Sequence, residues 1–276
     1  MAAHRSSPTG PDLRHFEAAL AGMNAEATRR AAVGGAVAAV ILYCLHTVGL
    51  TDVERMLDGL PAIGQLLREM TPPDFSRWQS WIGPILDTLA MSVAGTTLAV
   101  ALSLPLAFLA AANTSPHPLV HRLTRLVLNL LRSVPELIMG IFFVAAVGFG
   151  ALPGSLALGL HSVGMVGKFF AEAIEHVDHR PVEAARAAGA TPLQVIAHAV
   201  LPQVLPQMAD TALYRWEYNF RASTVLGVVG AGGIGFELIA ALRLLAYDQV
   251  AAVMLCILAT VTVVDALGGI LRARLK

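Results

Sequence analysis

Charge sits where charge is expensive in this chain: Arg215, Glu217, Asn219 and Arg221 interrupt an otherwise apolar run at 201–229. A charged side chain at the centre of a bilayer costs about 2.5–3.5 kcal/mol on insertion scales, so such residues face a bundle interior or a wet cavity. The guanidinium groups of Arg215 and Arg221, with Tyr218 and Asn219 beside them, offer paired donors that match a tetrahedral oxyanion. A structural alternative stands next to this one. Glu217 and Arg221 are four apart and can neutralise each other along a helix, while Arg215 can snorkel or bond to a neighbouring span. Passage also demands binding weak enough to release, which suits a transient relay better than a tight site.

Three further residues are candidates for the same path. His161 and Lys168 are seven apart in the segment 151–174 and share a helical face, with Glu172 nearly in line; Lys168 also lies near enough to the segment's end to snorkel. Glu136 follows Pro135 inside another apolar run, where it either faces a central axis or is a kink residue bonded to a neighbour. His176 and His179, with Glu175 and Asp178, superficially resemble a metal set, but a solvated polar face is the better account, and no metal is expected. Gly230, Gly232 and Gly235 satisfy Gly-x-Gly-x-x-Gly, a pattern that binds dinucleotides only between a strand and a helix. After an apolar span these glycines, with Gly233, predict an outer turn or gate.

The one strongly polar gap between long apolar segments holds Glu183-Ala184-Ala185-Arg186-Ala187-Ala188-Gly189, followed by Leu201-Pro202. Pro181 suits a first helical position and Gly189 a stop, and Thr191-Pro192 with Gln194 predicts a second start with a capping box. The alanines make a slim helix able to seat in a partner's groove, with Glu183 and Arg186 at the rim. On periodicity alone, an ordinary cytoplasmic hairpin joining two spans is the favoured account.

The elements that must position these residues are membrane helices. Of 276 residues, 56% are hydrophobic and 14% charged, against roughly a quarter charged in soluble domains. The 19 basic and 19 acidic residues cancel, so nothing points to a nucleic-acid partner. Cys44 and Cys256 both lie in apolar segments, which argues against a disulfide framework. No cleavable leader is evident before the first apolar run. Runs at 31–50, 85–112, 120–150 and 249–271 meet the roughly 20 residues that a span requires, 151–174 is a fifth, and 201–229 a sixth. Basic residues favour cytoplasmic ends. Six spans put residues 5–30, Arg122, Arg125, Arg180, Arg186, Arg272, Arg274 and Lys276 on one side, leaving mainly Arg55, Arg68, Arg77 and Arg243 opposite. Between the first two spans, Met56, Leu57, Leu60, Ile63, Leu66, Leu67 and Met70 recur at helical spacing, predicting an amphipathic helix that lies on the outer surface or packs against spans. Pro72-Pro73 ends it, and Trp78 and Trp81 are expected as interfacial anchors.

At its polar gap the chain resembles the permease subunits of binding-protein-dependent ABC importers. Their signature is Glu-Ala-Ala, three residues, Gly, nine residues, Ile, one residue, Leu-Pro; Glu183-Ala184-Ala185, Gly189 and Leu201-Pro202 match it, with Ala199 in place of Ile. The run 213–225, the glycines 230–235, Pro72-Pro73-Asp74-Phe75 and Leu201-Pro202-Gln203 are similar to the phosphonate-importer permease in particular. The resemblance implies a dimer of identical permease chains, two ATPase subunits on the cytoplasmic loops, and an extracytoplasmic phosphonate-binding protein. It makes the segment at about 181–198 a coupling helix. In keeping with that division of labour, the chain has no Gly-x-x-x-x-Gly-Lys-Ser/Thr loop, so ATP hydrolysis is expected on another chain.

The expected protein is therefore an all-α, six-span permease of a bacterial plasma membrane with both termini cytoplasmic, needing no cofactor and catalysing no reaction of its own. Its parts are a cytoplasmic segment 1–30, a first span 31–50, an extracytoplasmic segment 51–84 and a five-helix core 85–276. Phosphonates or related phosphorus oxyanions are the expected substrates. The alternatives are the same architecture importing phosphate, phosphite or an amino acid, and an ATPase-independent carrier or intramembrane enzyme.

Overall fold

The computed structural model describes residues 10–275; Arg5 and Lys276, assigned above to basic clusters, lie outside the described residues. The chain divides into two compact units, Met1–Leu67 and Arg68–Lys276. The first is helical: α1 is Gly10–Thr47 and α2 begins at Val53 and ends at Glu69, just past the boundary. α1 runs unbroken through residue 31, where the first span is expected to begin. Alanine is the strongest helix former, and the alanine-rich run from Ala18 to Ala32 offers no stop. Arg30 and Glu26 pair across one turn at 2.6 Å on its surface. α2 carries the strongly one-sided apolar pattern that the spacing predicts.

The second unit contains α3 (Trp78–Ala110), α4 (Pro118–Ser133), α5 (Glu136–Val147), α6 (Ala151–Glu175), α7 (His179–Ala187), a short α8 (Pro192–Val195), α9 (Leu201–Leu226), α10 (Ile234–Arg243) and α11 (Tyr247–Leu275). Asp74 opens it. Its carboxylate accepts from the backbone N–H of Ser76 at 2.8 Å and from its hydroxyl at 2.9 Å, and the backbone bond chiefly holds the acid below its ordinary pKa.

Among the described residues, Ala18–Thr47, Trp78–Ala110 and Tyr247–Arg274 suffice by length and composition to cross a membrane, and two bent pairs, α4 with α5 and α8–α9 with α10, bring the number to five. α6 is 25 residues long but carries His161, Lys168, Glu172 and Glu175. It packs against α3, α4, α5 and α9, and glycines let the neighbours in. A Cβ on Gly159 would strike Leu98, and one on Gly164 would lie 2.6 Å from the Leu128 carbonyl. Small residues permit this backbone approach where lipid supplies no hydrophobic drive between helices.

The span expected at 120–150 is sharply bent before Glu136. α4 and α5 meet at 85°. Val134 is extended (φ −85°, ψ 120°) and Pro135 follows it, as expected where the proline ring disfavours a helical predecessor. Trp81 is also corrected: it is 2% exposed and packs with Ile234, Ala252 and Val253, while only Trp78 stays exposed.

Two apolar clusters fill the centre of this unit. One joins Ala99, Leu128, Val163, Val166, Phe170, Val182, Val200, Val204 and Met208; the other joins Met91, Ala157, Leu158, Ala222 and Leu226. On α3, α6 and α9 alike, the residues between the clusters are polar: Thr96, Ser162, and Arg215 with Asn219.

Candidate functional site

Those residues form a polar layer at mid-length of three helices. Arg215, Tyr218 and Asn219 share one face of α9 because they are three and four apart. Arg215 Nε donates to Ser162 Oγ at 2.8 Å, Ser162 Oγ donates to Asn219 Oδ1 at 3.0 Å, Asn219 Nδ2 donates to Thr96 Oγ1 at 2.9 Å, and Thr96 Oγ1 donates to the Ser92 carbonyl at 2.7 Å. Each hydroxyl gives one bond and takes one. Asn219, sealed at 0% exposure, is thereby committed to holding helices together rather than to a ligand. Arg215 is different. It is 2% exposed, its Nη1 rests 3.1 Å from Met165 Sδ, its guanidinium lies 4.2 Å from the centroid of the Tyr218 ring, and Nη2 is buried without a hydrogen-bond partner. An orphaned donor on a buried cation leaves free energy unclaimed until an acceptor arrives.

Glu136, first residue of α5, enters the same layer because the elbow at Pro135 turns the chain there. Tyr218 Oη donates to both carboxylate oxygens at 3.2 Å, and His161 Nε2 stands 3.5 Å from Oε2. His161 Nδ1 is 3.0 Å from the Val134 carbonyl, which can only accept, so the ring is held with its proton on Nδ1. Glu136 and His161 are partly exposed, at 22% and 15% of their side chains.

Other anticipated residues go elsewhere. Glu217 and Arg221 do not pair with each other. They leave α9 on the side away from Arg215 and reach α11, Arg221 to Asp265 at 2.8 Å and Glu217 to Arg272 at 2.8 Å. The Glu217 contact is close but poorly aligned, since Oε1 lacks a well-formed hydrogen bond. Lys168 lies two turns from His161 and pairs with Glu172 at 3.5 Å, beside a groove also lined by Arg125 and Asn129. His176 Nδ1 is 2.7 Å from the Glu172 carbonyl.

In the polar gap, α7 starts at His179 and not at Pro181. Asp178 caps it, accepting from Arg180 N at 3.0 Å, and an N-cap carboxylate outweighs proline's preference for the first position. Glu183, Ala184 and Arg186 are exposed, Ala185 half-buried, and Val182 anchors the helix in the core. Gly189 ends it with φ +79°, the left-handed stop that glycine tolerates. Thr191 and Gln194 form the anticipated capping box. Five residues of π-helix, Ile196–Val200, then lead straight into Leu201, Pro202 and the rest of α9. Gln203 fastens the two parts: its Oε1 accepts from Asp178 N at 2.9 Å and its Nε2 donates to the Ala199 carbonyl at 2.6 Å. A groove of about 350 Å³ runs between α7 and α8, with Glu183 and Arg186 on its wall.

Gly230, Gly232 and Gly233 have φ of +94°, +77° and +73°. They turn the chain between α9 and α10, with a 3-10 turn and no strand before them. Gly230 packs on Phe149 and its carbonyl accepts from Gly150 N at 3.2 Å, while Gly235 sits on the Thr224 carbonyl. Ser162, Thr96, Asp178, Gln203, Asp265 and Arg272 were not singled out from the sequence as members of these networks. A hydroxyl inside an apolar run is the signal that Thr96 and Ser162 give.

Residues 103–276 match the family described as binding-protein-dependent transport system inner membrane component. The chain belongs to that family. It is 69% identical over 237 residues to the phosphite transport system permease protein PtxC of Stutzerimonas stutzeri, covering 86% of each chain. It is 39% identical to the putative phosphite transport system permease protein HtxC of the same organism, covering 80% of this chain and 78% of that one. The phosphate-import permease protein PhnE of Mycolicibacterium smegmatis is 45% identical over 79% of this chain but only 41% of its own length. Among solved structures, an inward-facing MetNI methionine ABC transporter superposes with a TM-score of 0.61 at 22% identity, over 70% of this chain and 94% of that one. A bacterial alginate ABC transporter gives 0.59 at 16%, over 84% and 96%. The permease is thus a membrane-embedded transport subunit and not an enzyme, and its family works with a separate ATPase and a substrate-binding protein.

Proposed function

We propose that this permease forms the path for small phosphorus oxyanions, phosphite foremost and phosphonates or phosphate beside it. The observation that carries the proposal is Arg215 at mid-depth, a buried guanidinium with one donor unmet. The name of the 69% identical relative supports phosphite ahead of the phosphonates that the sequence suggests. Arg215 makes the direct contact, and Tyr218, His161 and Glu136 belong to the same polar layer. Glu217, Asn219, Arg221 and Lys168 hold helices or pair elsewhere.

In this proposal α7, with Glu183, Ala184, Ala185, Arg186 and Gly189, seats in a groove of one ATPase subunit, the same helix of a second identical chain seats in another, and Leu201-Pro202 passes the movement into α9. A second identical chain completes the path, and an extracytoplasmic binding protein for phosphite or phosphonate loads it. The turn 230–235 gates the outer mouth. Both termini and α7 lie in the cytoplasm, which agrees with the basic residues near Arg122, Arg180 and Arg272. α6 is counted as the sixth span, shielded by its neighbours.

The test is ATP-dependent transport of labelled phosphite by the assembled complex in proteoliposomes, with aminoethylphosphonate, phosphate and methionine as competitors. Arg215→Met abolishes transport while the ATPase still copurifies, and Arg215→Lys retains a part of it because the ammonium keeps charge but loses the planar fork. Competition by methionine alone overturns the substrate.

A further inference from the structure

We infer that Glu136 is a resident counter-anion that sets how long a passing oxyanion stays on Arg215; the inference rests on the oxyanion path proposed above. A buried guanidinium needs compensating negative charge, yet no carboxylate among the described residues forms an ion pair with Arg215. The compensation is held at one remove. Tyr218 stands between the two charges, its ring face 4.2 Å from the guanidinium and its hydroxyl on Glu136 at 3.2 Å. The cation is thus neutralised at a distance while Nη2, buried, keeps no hydrogen-bond partner.

This separation has a consequence for any anion that docks on Nη2. A direct Arg215–Glu136 pair would block the site, and an Arg215 without Glu136 would grip an oxyanion too well to let it go. With Glu136 behind Tyr218, an arriving oxyanion meets one positive charge and one fixed negative charge, and the two anions repel in a weakly screened interior. His161 takes part. Its Nδ1–H is spent on the Val134 carbonyl, so a neutral ring turns the Nε2 lone pair toward Glu136 Oε2 at 3.5 Å, an arrangement that a proton between them relieves. The elbow at Pro135 is what makes this possible, because a straight span would carry Glu136 past the layer.

The experiment uses the permease assembled with its ATPase and binding protein in proteoliposomes. It reads the maximal rate of phosphite transport and the concentration of unlabelled phosphite on the cytoplasmic face that halves it. Removing the fixed charge with Glu136→Gln lowers the rate about tenfold and lowers the half-inhibiting concentration about tenfold, as a loss of one moderate charge repulsion predicts. Glu136→Asp keeps both within about threefold. A slower Glu136→Gln with unchanged product inhibition, or Glu136→Asp shifting as far as Glu136→Gln, overturns the inference by reducing Glu136 to a packing role. Should Glu136→Gln fail to assemble, Glu136→Asn is judged by the same criterion, and failure of both neutral variants also assigns the carboxylate to folding. Wild-type complex that moves no phosphorus oxyanion sinks the substrate proposal, whereas wild-type transport with normal inhibition of Glu136→Gln sinks this inference alone.

Discussion

α9 carries two kinds of charge, and single residues tell them apart. Arg221 and Asp265 are each nearly half exposed and satisfy one another across the α9–α11 seam. Removing one partner leaves a lone charge on a membrane helix. Asp265→Asn should lower the apparent melting temperature of the purified permease by about 2–4 °C, the shift for about 1 kcal/mol in a protein of this size. Arg221→Gln/Asp265→Asn should recover most of that loss, because two neutral side chains need no partner; a double variant as unstable as the single would discount the pair. Arg215 was legible in the sequence as charge inside an apolar run, but its partners were not. Ser162 lies 53 residues away and nothing local links the two. The i, i+4 rule matched Glu217 to Arg221, yet tertiary packing overrode it because α11 brings Asp265 and Arg272 closer to each.

At the scale of elements, the α9–α11 seam depends on Gly268. A Cβ there would collide with Glu217 Oε1, whereas one on Gly269 would meet nothing within 4 Å. Gly268→Leu therefore presses on the Glu217 carboxylate that faces Arg272 and should cost about 1–3 kcal/mol, read as thermal unfolding in detergent. Gly269→Leu, a neighbour of identical composition, should stay within about 0.5 kcal/mol of the parent. Equal effects would mean that helix propensity and not the Glu217 contact sets the seam. Element positions were largely readable from caps and apolar runs: Gly189 and the Thr191–Gln194 box end and start helices where anticipated. A kink beside Pro135 was one of the two readings of Glu136, but the 85° turn was not legible because no local signal fixes the angle between α4 and α5. Trp81 was misplaced for a related reason. A tryptophan at the start of a span fits an interface and a core equally, and only the arrival of Ile234 and Val253 from α10 and α11 decides between them.

For the whole molecule, the proposed transport path requires that movement at α7 reach the polar layer. Gly189 holds the left-handed conformation, at a cost of about 1–2 kcal/mol for any residue with a Cβ. Gly189→Ala should therefore loosen the α7–α8 turn and lower phosphite moved per ATP hydrolysed, while Gly189→Asn, which tolerates this conformation better, should lie between Ala and the parent. Unchanged stoichiometry in Gly189→Ala would separate the turn from coupling. The family was legible because its signature is local: Glu183, Gly189 and Leu201-Pro202 lie within one short stretch. The polar layer was legible only in part, since Glu136, His161 and Tyr218 come together through an elbow and two packed helices that no window of sequence contains.

Gln203 adds a practical boundary. One amide joins the residue that caps α7 to the carbonyl of Ala199 and to the first turn of α9, so the loop and the helix behind it are bolted as a single cassette. On the ATPase docking proposed for α7, grafting the preference of another permease onto this one is a matter of where the cut is made: a splice confined to 179–189 strands the amide between mismatched halves, whereas one that carries 178–203 moves the bolt with the part it fastens.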